Sequence, residues 1–199
     1  MFTPPALRLK IGRVNHAPYL SGQLLLALPG MSDPRFQRAV IALCVHDAGG
    51  ALGLGIGHVL GDLSFHKLLE QVEIDPGAAP DVPVHWGGPV EPSRGFVLHS
   101  PDWGGQDTVL VGMKWAFTGT LDILRAIAEG KGPRQWLVAL GYAGWAAGQL
   151  DEEMTRHGWL TGKADAGVLF DTAADKRWDA ALQLNGIDPR LLSSTSGTA

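Results

Sequence analysis

Residues 22–57, GQLLLALPGMSDPRFQRAVIALCVHDAGGALGLGIG, contain the longest apolar runs of the chain and its single cysteine. Two runs, at 23–28 and 39–45, are continuous and short, which is typical of strands buried on both faces. The segment PGMSDP between them favours a turn, because proline fixes φ and aspartate bonds nearby backbone. A third run, at 51–56, has glycine at every second position, which lets a neighbouring backbone approach closely. The stretch predicts three strands with short, antiparallel connections.

Composition limits the class of protein. The chain has 199 residues, of which 45% are hydrophobic and 18% charged, and its net charge is −4. These values predict one globular domain, and no apolar run reaches the roughly 18–20 residues that span a bilayer. The acidic balance provides no global positive field for nucleic acid. One cysteine allows no internal disulfide and favours a reducing compartment. We expect a cytoplasmic monomer whose partner is a protein or a small molecule.

The rest of the chain reads as short elements separated by 27 glycines and 13 prolines. Helices are predicted after Ser64, from Thr120 to Glu129, from about Ala147, and after Thr172, where a capping box with Asp175 is expected. Later strands are predicted at 84–86, 95–99, 108–111, 136–140 (ending at Gly141), 159–160 and 168–170. This order predicts an α+β fold with a mixed, largely antiparallel sheet and about four helices. We expect a flexible arm at 1–18, a single domain at 19–192 and a disordered tail at 193–199.

The first candidate for chemistry is the pair Cys44 and His46. They lie two residues apart on a predicted strand, so they share a face, and an imidazole there could help to form a thiolate. The alternative is that Cys44 is a small core residue, since free cysteines are among the most buried side chains. His46 would then bond a turn carbonyl at the end of the strand.

The second candidate is an anion site on the strand SRGFVLHS. Arg94 could bind a carboxylate or phosphate, with His99 nearby, or it could pair with an internal carboxylate such as Asp33 or Glu91. Arg38 has the same two interpretations. The turn that contains Met31 and Asp33 is a further candidate for contact with a ligand or partner, because it is polar and lies where two buried strands meet solvent.

Several classes of site lack their sequence pattern. The glycine series at 53–57 fails the dinucleotide fingerprint at His58, and no phosphate-binding loop motif occurs. His58, Asp62 and His66 are spaced by four, but the predicted helix begins after Asp62, so they do not share a helical face. We therefore predict no catalytic set, no cofactor and no metal.

Three stretches together resemble the YqgE/AlgH family. They are the opening motif at 22–54, GGPVEPSRGFVLHS at 87–100 and GYAGWAAGQLDEEMTRHGWL at 141–160. The resemblance implies an α+β fold with a small closed β-barrel or a bifurcated sheet wrapped by helices. It provides no catalytic residues, although some members are labelled transcriptional regulators. The chain departs from the family pattern at Val45, Gly57, His58 and Val59.

The sequence therefore leaves three interpretations of function. The leading interpretation is a non-catalytic binding protein with a regulatory role. The first alternative is an enzyme or redox-responsive protein that uses Cys44 and His46, or an anion site at Arg94 and His99. The second alternative is a transcriptional regulator, against which the acidic composition and the absence of a basic helix both count.

Overall fold

The computed structural model describes residues 19–31, 33–156 and 158–192. The predicted arm and the predicted tail lie outside these residues. The ten strands of the described part are β1 Leu24–Ala27, β2 Val40–Asp47, β3 Gly50–Gly55, β4 Val59–Ser64, β5 Pro83–Trp86, β6 Val90–His99, β7 Val109–Val111, β8 Trp115–Thr118, β9 Trp136–Ala146 and β10 Trp159–Gly162. The α-helices there are α1 Phe65–Gln71, α2 Leu121–Ala128, α3 Gln149–Thr155 and α4 Ala174–Leu184.

The sheet is organised around β9. Neighbouring strands follow the order β10-β1-β2-β3-β9-β6-β8-β7, and β5 with its partner β4 joins β9 from the side. The first half of β9 lies between β5 and β6, while its second half pairs with β3. All ladders are antiparallel except that between β5 and β9. The predicted bifurcated, largely antiparallel sheet is confirmed, and it is curled and open, a half-barrel rather than a closed one.

The largest core cluster lies on the inner face of the curled sheet. Alternate residues of β6 separate the two faces: Phe96 and Leu98 belong to this cluster, whereas Val97 belongs to the cluster beneath α1 and α2. Helix α4 fills the concave side with Trp178, whose indole N–H donates to the carbonyl of Ala27 at 2.9 Å. A third cluster, beneath α3, contains Leu25 and Ile41. Both faces of the sheet are covered, which is why its central strands read as continuous apolar runs.

The opening stretch forms β1, β2 and β3 as predicted. Both expected hairpin partners are antiparallel, with Leu25 opposite Ile41 and Ala42 opposite Leu54. The alternate glycines allow the predicted close approach. A Cβ on Gly55 would overlap the carbonyl of Trp86 in β5. The bare face of β3 therefore lets the second branch of the sheet lie directly against the first.

The structure corrects three local predictions and adds two strands. Strand β9 does not end at Gly141 but continues to Ala146. Residues 168–170 lie in a π-helical turn, Gly167–Asp171, rather than in a strand. Thr172 does not cap α4, because its hydroxyl donates to the carbonyl of Gly167 and Ala173 is the cap. Strands β4 and β8 were not predicted, and β4 is largely exposed, so it lacks an apolar pattern. No helix within the described residues is long and apolar enough to cross a membrane.

Candidate functional site

The candidate site lies where β6 begins, at the point where the sheet divides. The chain segments that contain Gly88 and Gly141 cross there, with their backbones in contact. A Cβ on Gly141 would overlap the carbonyl of Gly88, and Gly141 has a φ of +73°, which side chains rarely adopt. Glycine at this crossing permits β9 to bend and change partners without ending.

The bend in β9 is matched by a bulge in β6. Val90 pairs with Tyr142 and Gly95 pairs with Leu140, so the four residues 91–94 stand opposite the single residue Gly141. Glu91 takes a φ of +46°, an uncommon conformation for a residue other than glycine. The first three bulge residues are exposed, whereas Arg94 turns inward and is buried. Bulges of this kind redirect a side chain out of the regular alternation.

Arg94 is the centre of a small cluster that we call the Arg94 cluster, consisting of Glu91, Arg94, Phe96 and Tyr142. Its side chain is only 7% exposed, and Nη1 donates to Oε2 of Glu91 at 3.0 Å. The hydroxyl of Tyr142 donates to the other oxygen of Glu91 at 3.3 Å. The guanidinium carbon lies 5.1 Å from the centroid of Phe96, and the rings of Phe96 and Tyr142 meet edge to face at 5.9 Å. The predicted pairing of Arg94 with an internal carboxylate is thus made with Glu91.

Two nitrogens of Arg94 have no partner among the residues that the structure describes. Nε and Nη2 are buried, and within the described part of the chain they make no hydrogen bond. An unpaired buried donor costs about 1–3 kcal/mol, and more when it carries charge. Buried polar groups are otherwise almost always satisfied, so these nitrogens are an exception that indicates a missing acceptor.

The electrostatics of the cluster favour an acceptor that is an anion. Burial, followed by the nearby Glu91 carboxylate, raises the pKa of Tyr142, so its hydroxyl remains a neutral donor. The available groups are therefore the unused N–H donors of the Arg94 guanidinium. They can bind and orient an anionic group. They offer no nucleophile and no group poised to accept a proton.

The candidate residues between β1 and β2 make their contacts away from Arg94. Asp33 caps the 3₁₀ turn Pro34–Phe36 and binds Arg35, whose N–H groups lower its pKa. Met31 packs against the cluster beneath α3. Arg38 donates to Asp179 at 2.7 Å and stacks over the ring of Trp178 at 4.3 Å. None of these residues contacts Arg94.

A shallow depression of about 580 Å³ adjoins Asp179 at the end of α4. Two of its charged residues are Asp188 and Arg190, which pair with each other at 2.7 Å, while Asp179 pairs with Arg38. Because its carboxylates already have partners, the depression has no unsatisfied group comparable to Arg94.

Cys44 and His46 lie two residues apart on β2, but the alternation on which the predicted pair depended is broken, because the register shifts between Leu43 and Val45 and both Cys44 and Val45 pack in the largest core cluster. Cys44 is 3% exposed, and burial strongly raises the pKa of its thiol, which donates to the carbonyl of Ala42 at 3.4 Å. Nδ1 of His46 accepts the backbone N–H of Leu20 at 3.1 Å. His46 was expected to bond a turn carbonyl, and it accepts a turn N–H instead. Neither side chain contacts the other.

His99 and Arg94 are not neighbours either. They are five residues apart on β6, about 16 Å along an extended strand, and they lie on opposite faces. Nε2 of His99 bonds the hydroxyl of Thr118 at 3.0 Å and its Nδ1 faces the carbonyl of Ser100 at 2.8 Å. Burial lowers the pKa of His99. The hydroxyl of Ser100 binds Asp102 directly, so the histidine has no access to the serine proton. This network holds the loop after β6 and is not a catalytic triad.

A second buried arginine was missed by sequence reasoning. Arg177 in α4 donates to the carbonyls of Val168, Ile56 and Thr172, and its Nη1 also contacts Nε2 of His85 at 3.0 Å. All three of its nitrogens have partners. The residue stands on the buried face of α4, four positions before Ala181, and that placement was the available signal. Within the described chain, no group of three or more His, Cys, Asp or Glu side chains is placed to hold a metal ion.

Comparison with known proteins agrees with the architecture and the motifs. The family model described as AlgH-like (DUF179) matches residues 24–190. A UPF0301 protein of Rhizorhabdus wittichii is 61% identical over 180 residues, covering 90% of this chain and 97% of the relative. The chain belongs to the AlgH-like family. A second AlgH-like relative, the UPF0301 protein of Novosphingobium aromaticivorans, is 56% identical and covers 94% of this chain and 100% of its own length.

Solved structures support the same assignment. The solution structure of the AlgH protein from Pseudomonas aeruginosa superposes with a TM-score of 0.74 at 39% identity, covering 94% of this chain and 100% of that one. A crystal structure from Corynebacterium diphtheriae has a TM-score of 0.68 at 18% identity, covering 86% and 89% of the two chains. At that identity the second likeness concerns the fold alone. The AlgH-like assignment confirms the family resemblance on which the fold prediction partly rested.

Proposed function

We propose that this AlgH-like chain is a non-catalytic binding protein for a small anionic ligand, that Arg94 anchors the anion, and that binding serves a regulatory role. The observation that supports this proposal is the pair of buried, unpartnered nitrogens on Arg94. We also propose a cytoplasmic location, in keeping with the single unpaired cysteine.

The surroundings of Arg94 support binding rather than chemistry. The bulge at 91–94 interrupts the ladder with β9, so it can move without breaking regular strand pairing. Its first three residues are exposed, and Glu91, the partner of Arg94, is half-exposed. In this proposal a ligand reaches the guanidinium by displacing the bulge.

Thermal unfolding with added anions tests the proposal. We would compare acetate, benzoate, inorganic phosphate and sulfate with chloride at equal ionic strength. A ligand that binds only the folded state raises its stability as its concentration passes Kd. We expect at least one anion to raise the Tm of the wild type and to leave that of Arg94→Met unchanged.

The matched control is Arg125→Met, which removes an exposed arginine from α2. This variant should respond to anions as the wild type does. An equal response of Arg94→Met and the wild type, or no response of the wild type to any of the four anions, would show that Arg94 is not an anion site.

A further inference from the structure

The two edges of the Arg94 guanidinium are occupied differently. Nη1 binds Glu91, and the free edge carries Nε and Nη2. Elsewhere in this chain the same edge binds a carboxylate. Nε and Nη2 of Arg35 contact the two oxygens of Asp33 at 3.0 and 2.6 Å. Arg190 holds Asp188 in the same way at 3.0 and 2.7 Å. The free edge of Arg94 thus has the geometry of a carboxylate fork without its carboxylate.

Charge distinguishes a carboxylate from a phosphate at this edge. Arg94 brings one positive charge, and the Glu91 carboxylate already lies 3.0 Å from it. A bound monocarboxylate would add one negative charge beside Glu91, whereas a phosphate dianion would add two. Arg94 and Glu91 together are neutral, so a monocarboxylate leaves one uncompensated negative charge in the site and a dianion leaves two, and uncompensated charge is costly to bury. Glu91 therefore penalises the dianion more than the monoanion.

The aromatic side chains near Arg94 also indicate the kind of group that the ligand carries beside its anionic head, which we call its body. The guanidinium carbon lies 5.1 Å from the ring centroid of Phe96, whose ring meets that of Tyr142 edge to face at 5.9 Å and has its centroid 6.3 Å from that of Phe117. Aromatic faces pack well against an apolar or aromatic group and offer little to a strongly hydrated one.

We infer that the ligand of the Arg94 cluster is a monocarboxylate with an aromatic or apolar body, held side-on by Nε and Nη2, and that Glu91 excludes phosphate dianions. This inference rests on the proposed anion-binding function. It adds the class of ligand and assigns to Glu91 the role of a specificity-determining residue.

Calorimetric titration of the full chain with benzoate and phenyl phosphate tests the inference. The two probes share a ring and differ in the head group, and at pH 8 the phosphate ester is a dianion, because its second pKa is about 6. The wild type should bind benzoate at least about tenfold more tightly than phenyl phosphate, a difference of about 1.4 kcal/mol. Acetate should bind more weakly than benzoate.

Three variants separate the parts of the inference. Glu91→Gln should tighten phenyl phosphate by about tenfold and benzoate by no more than about threefold, so that the preference nearly disappears. Arg94→Lys keeps the charge without the fork and should lose benzoate binding. Glu70→Gln, an exposed position on α1, is the control and should leave both affinities unchanged.

The outcomes distinguish this inference from the proposed function. Loss of all binding in Arg94→Met with equal wild-type affinities for the two probes would leave anion binding in place and overturn the monocarboxylate assignment. Unchanged selectivity in Glu91→Gln would overturn the role of Glu91. Full benzoate affinity in Arg94→Lys would overturn the side-on geometry. Wild-type binding of neither probe would overturn the inference whatever the other anions do.

Discussion

At the scale of single residues, two buried arginines play opposite parts. Arg177 uses all of its nitrogens to tie α4 to the rest of the core, through three backbone carbonyls and His85. Burial lowers its pKa to about 10, which still leaves it protonated at neutral pH. Arg94 is equally buried and uses only Nη1. Arg177 therefore stabilises the fold with every nitrogen hydrogen-bonded, whereas Arg94 has two donors that are not used within the described chain.

Replacement of each arginine by methionine should therefore change stability by very different amounts. Arg177→Met leaves three carbonyls without a donor and should lower the free energy of unfolding by at least about 3 kcal/mol. Arg94→Met removes two unpaired buried donors and leaves a half-exposed Glu91 carboxylate that water can solvate, so the free energy of unfolding should change by less than about 1 kcal/mol. Urea denaturation measures both values. A loss in Arg94→Met as large as in Arg177→Met would make Arg94 a structural residue.

His85 should make stability depend on pH. Burial, and then the charge of Arg177, lower the pKa of His85 to about 4 from an ordinary value near 6.5. The unfolded chain binds this proton more readily, so stability is fully present above about pH 6.5 and is lost as pH falls towards 4. The full contribution is on the order of 3 kcal/mol, at about 1.4 kcal/mol per pKa unit.

His85→Gln tests this linkage. Between pH 7 and 5, above the range in which most carboxylates titrate, the free energy of unfolding should fall in the wild type and change much less in the variant. Parallel pH profiles for the two proteins would show that His85 does not titrate with a depressed pKa.

At the scale of elements, β9 is the strand on which the sheet depends. It contributes to both branches because it bends at Gly141 and exchanges its neighbour β5 for β3. The positive φ of +73° and the contact with Gly88 both require glycine there. The same bend forces the bulge that turns Arg94 inward, so the element and the site share one cause.

Alanine substitution at two glycines separates these requirements. Gly148 has nearly the same φ, +74°, but an added Cβ meets nothing within 4 Å. Gly148→Ala should destabilise by about 1 kcal/mol, the usual strain of a left-handed residue. Gly141→Ala adds overlap with backbone and should cost several times more, about 3 kcal/mol or above. Equal midpoints in thermal unfolding would mean that the crossing relaxes easily.

At the scale of the whole molecule, the three core clusters are joined by shared elements. Strand β9 contributes residues to each cluster, through Leu137, Val138 and Trp145. Helix α4 is bound to β1 by the indole of Trp178, and through Arg177 to β5 and to Ile56, the residue that follows β3. No branch of the sheet therefore has a core of its own.

The described domain should accordingly unfold in one step. Far-ultraviolet circular dichroism and tryptophan fluorescence should give coincident denaturant transitions, since neither branch can melt while β9 stays in place. Tryptophans report from all three clusters, including Trp115, Trp136 and Trp159. A fluorescence transition displaced from the dichroism transition would contradict this shared core.

The sequence by itself determined the local elements. The apolar runs of residues 22–57 specify β1 to β3, and the stripes after Ser64 and Thr120 specify α1 and α2, because periodicity and turn chemistry act within a few residues. These local patterns did not predict β4, whose residues are largely exposed. They were also misleading at 168–170, where an apolar run forms a π-helical turn and not a strand. The family motifs implied a closed β-barrel or a bifurcated sheet, which periodicity alone did not, and the strand pairing of β9 decided between them.

Only the tertiary structure decided which candidates form a site. Asp33, Arg38, His46 and His99 find separate partners, because their positions on strands and turns direct them to different faces. Arg94 differs because the bulge opposite Gly141 places it in a buried position beside Glu91 with one edge unfilled. That arrangement depends on contacts between residues about fifty positions apart. Such contacts are set by packing, and no local pattern in the chain encodes them.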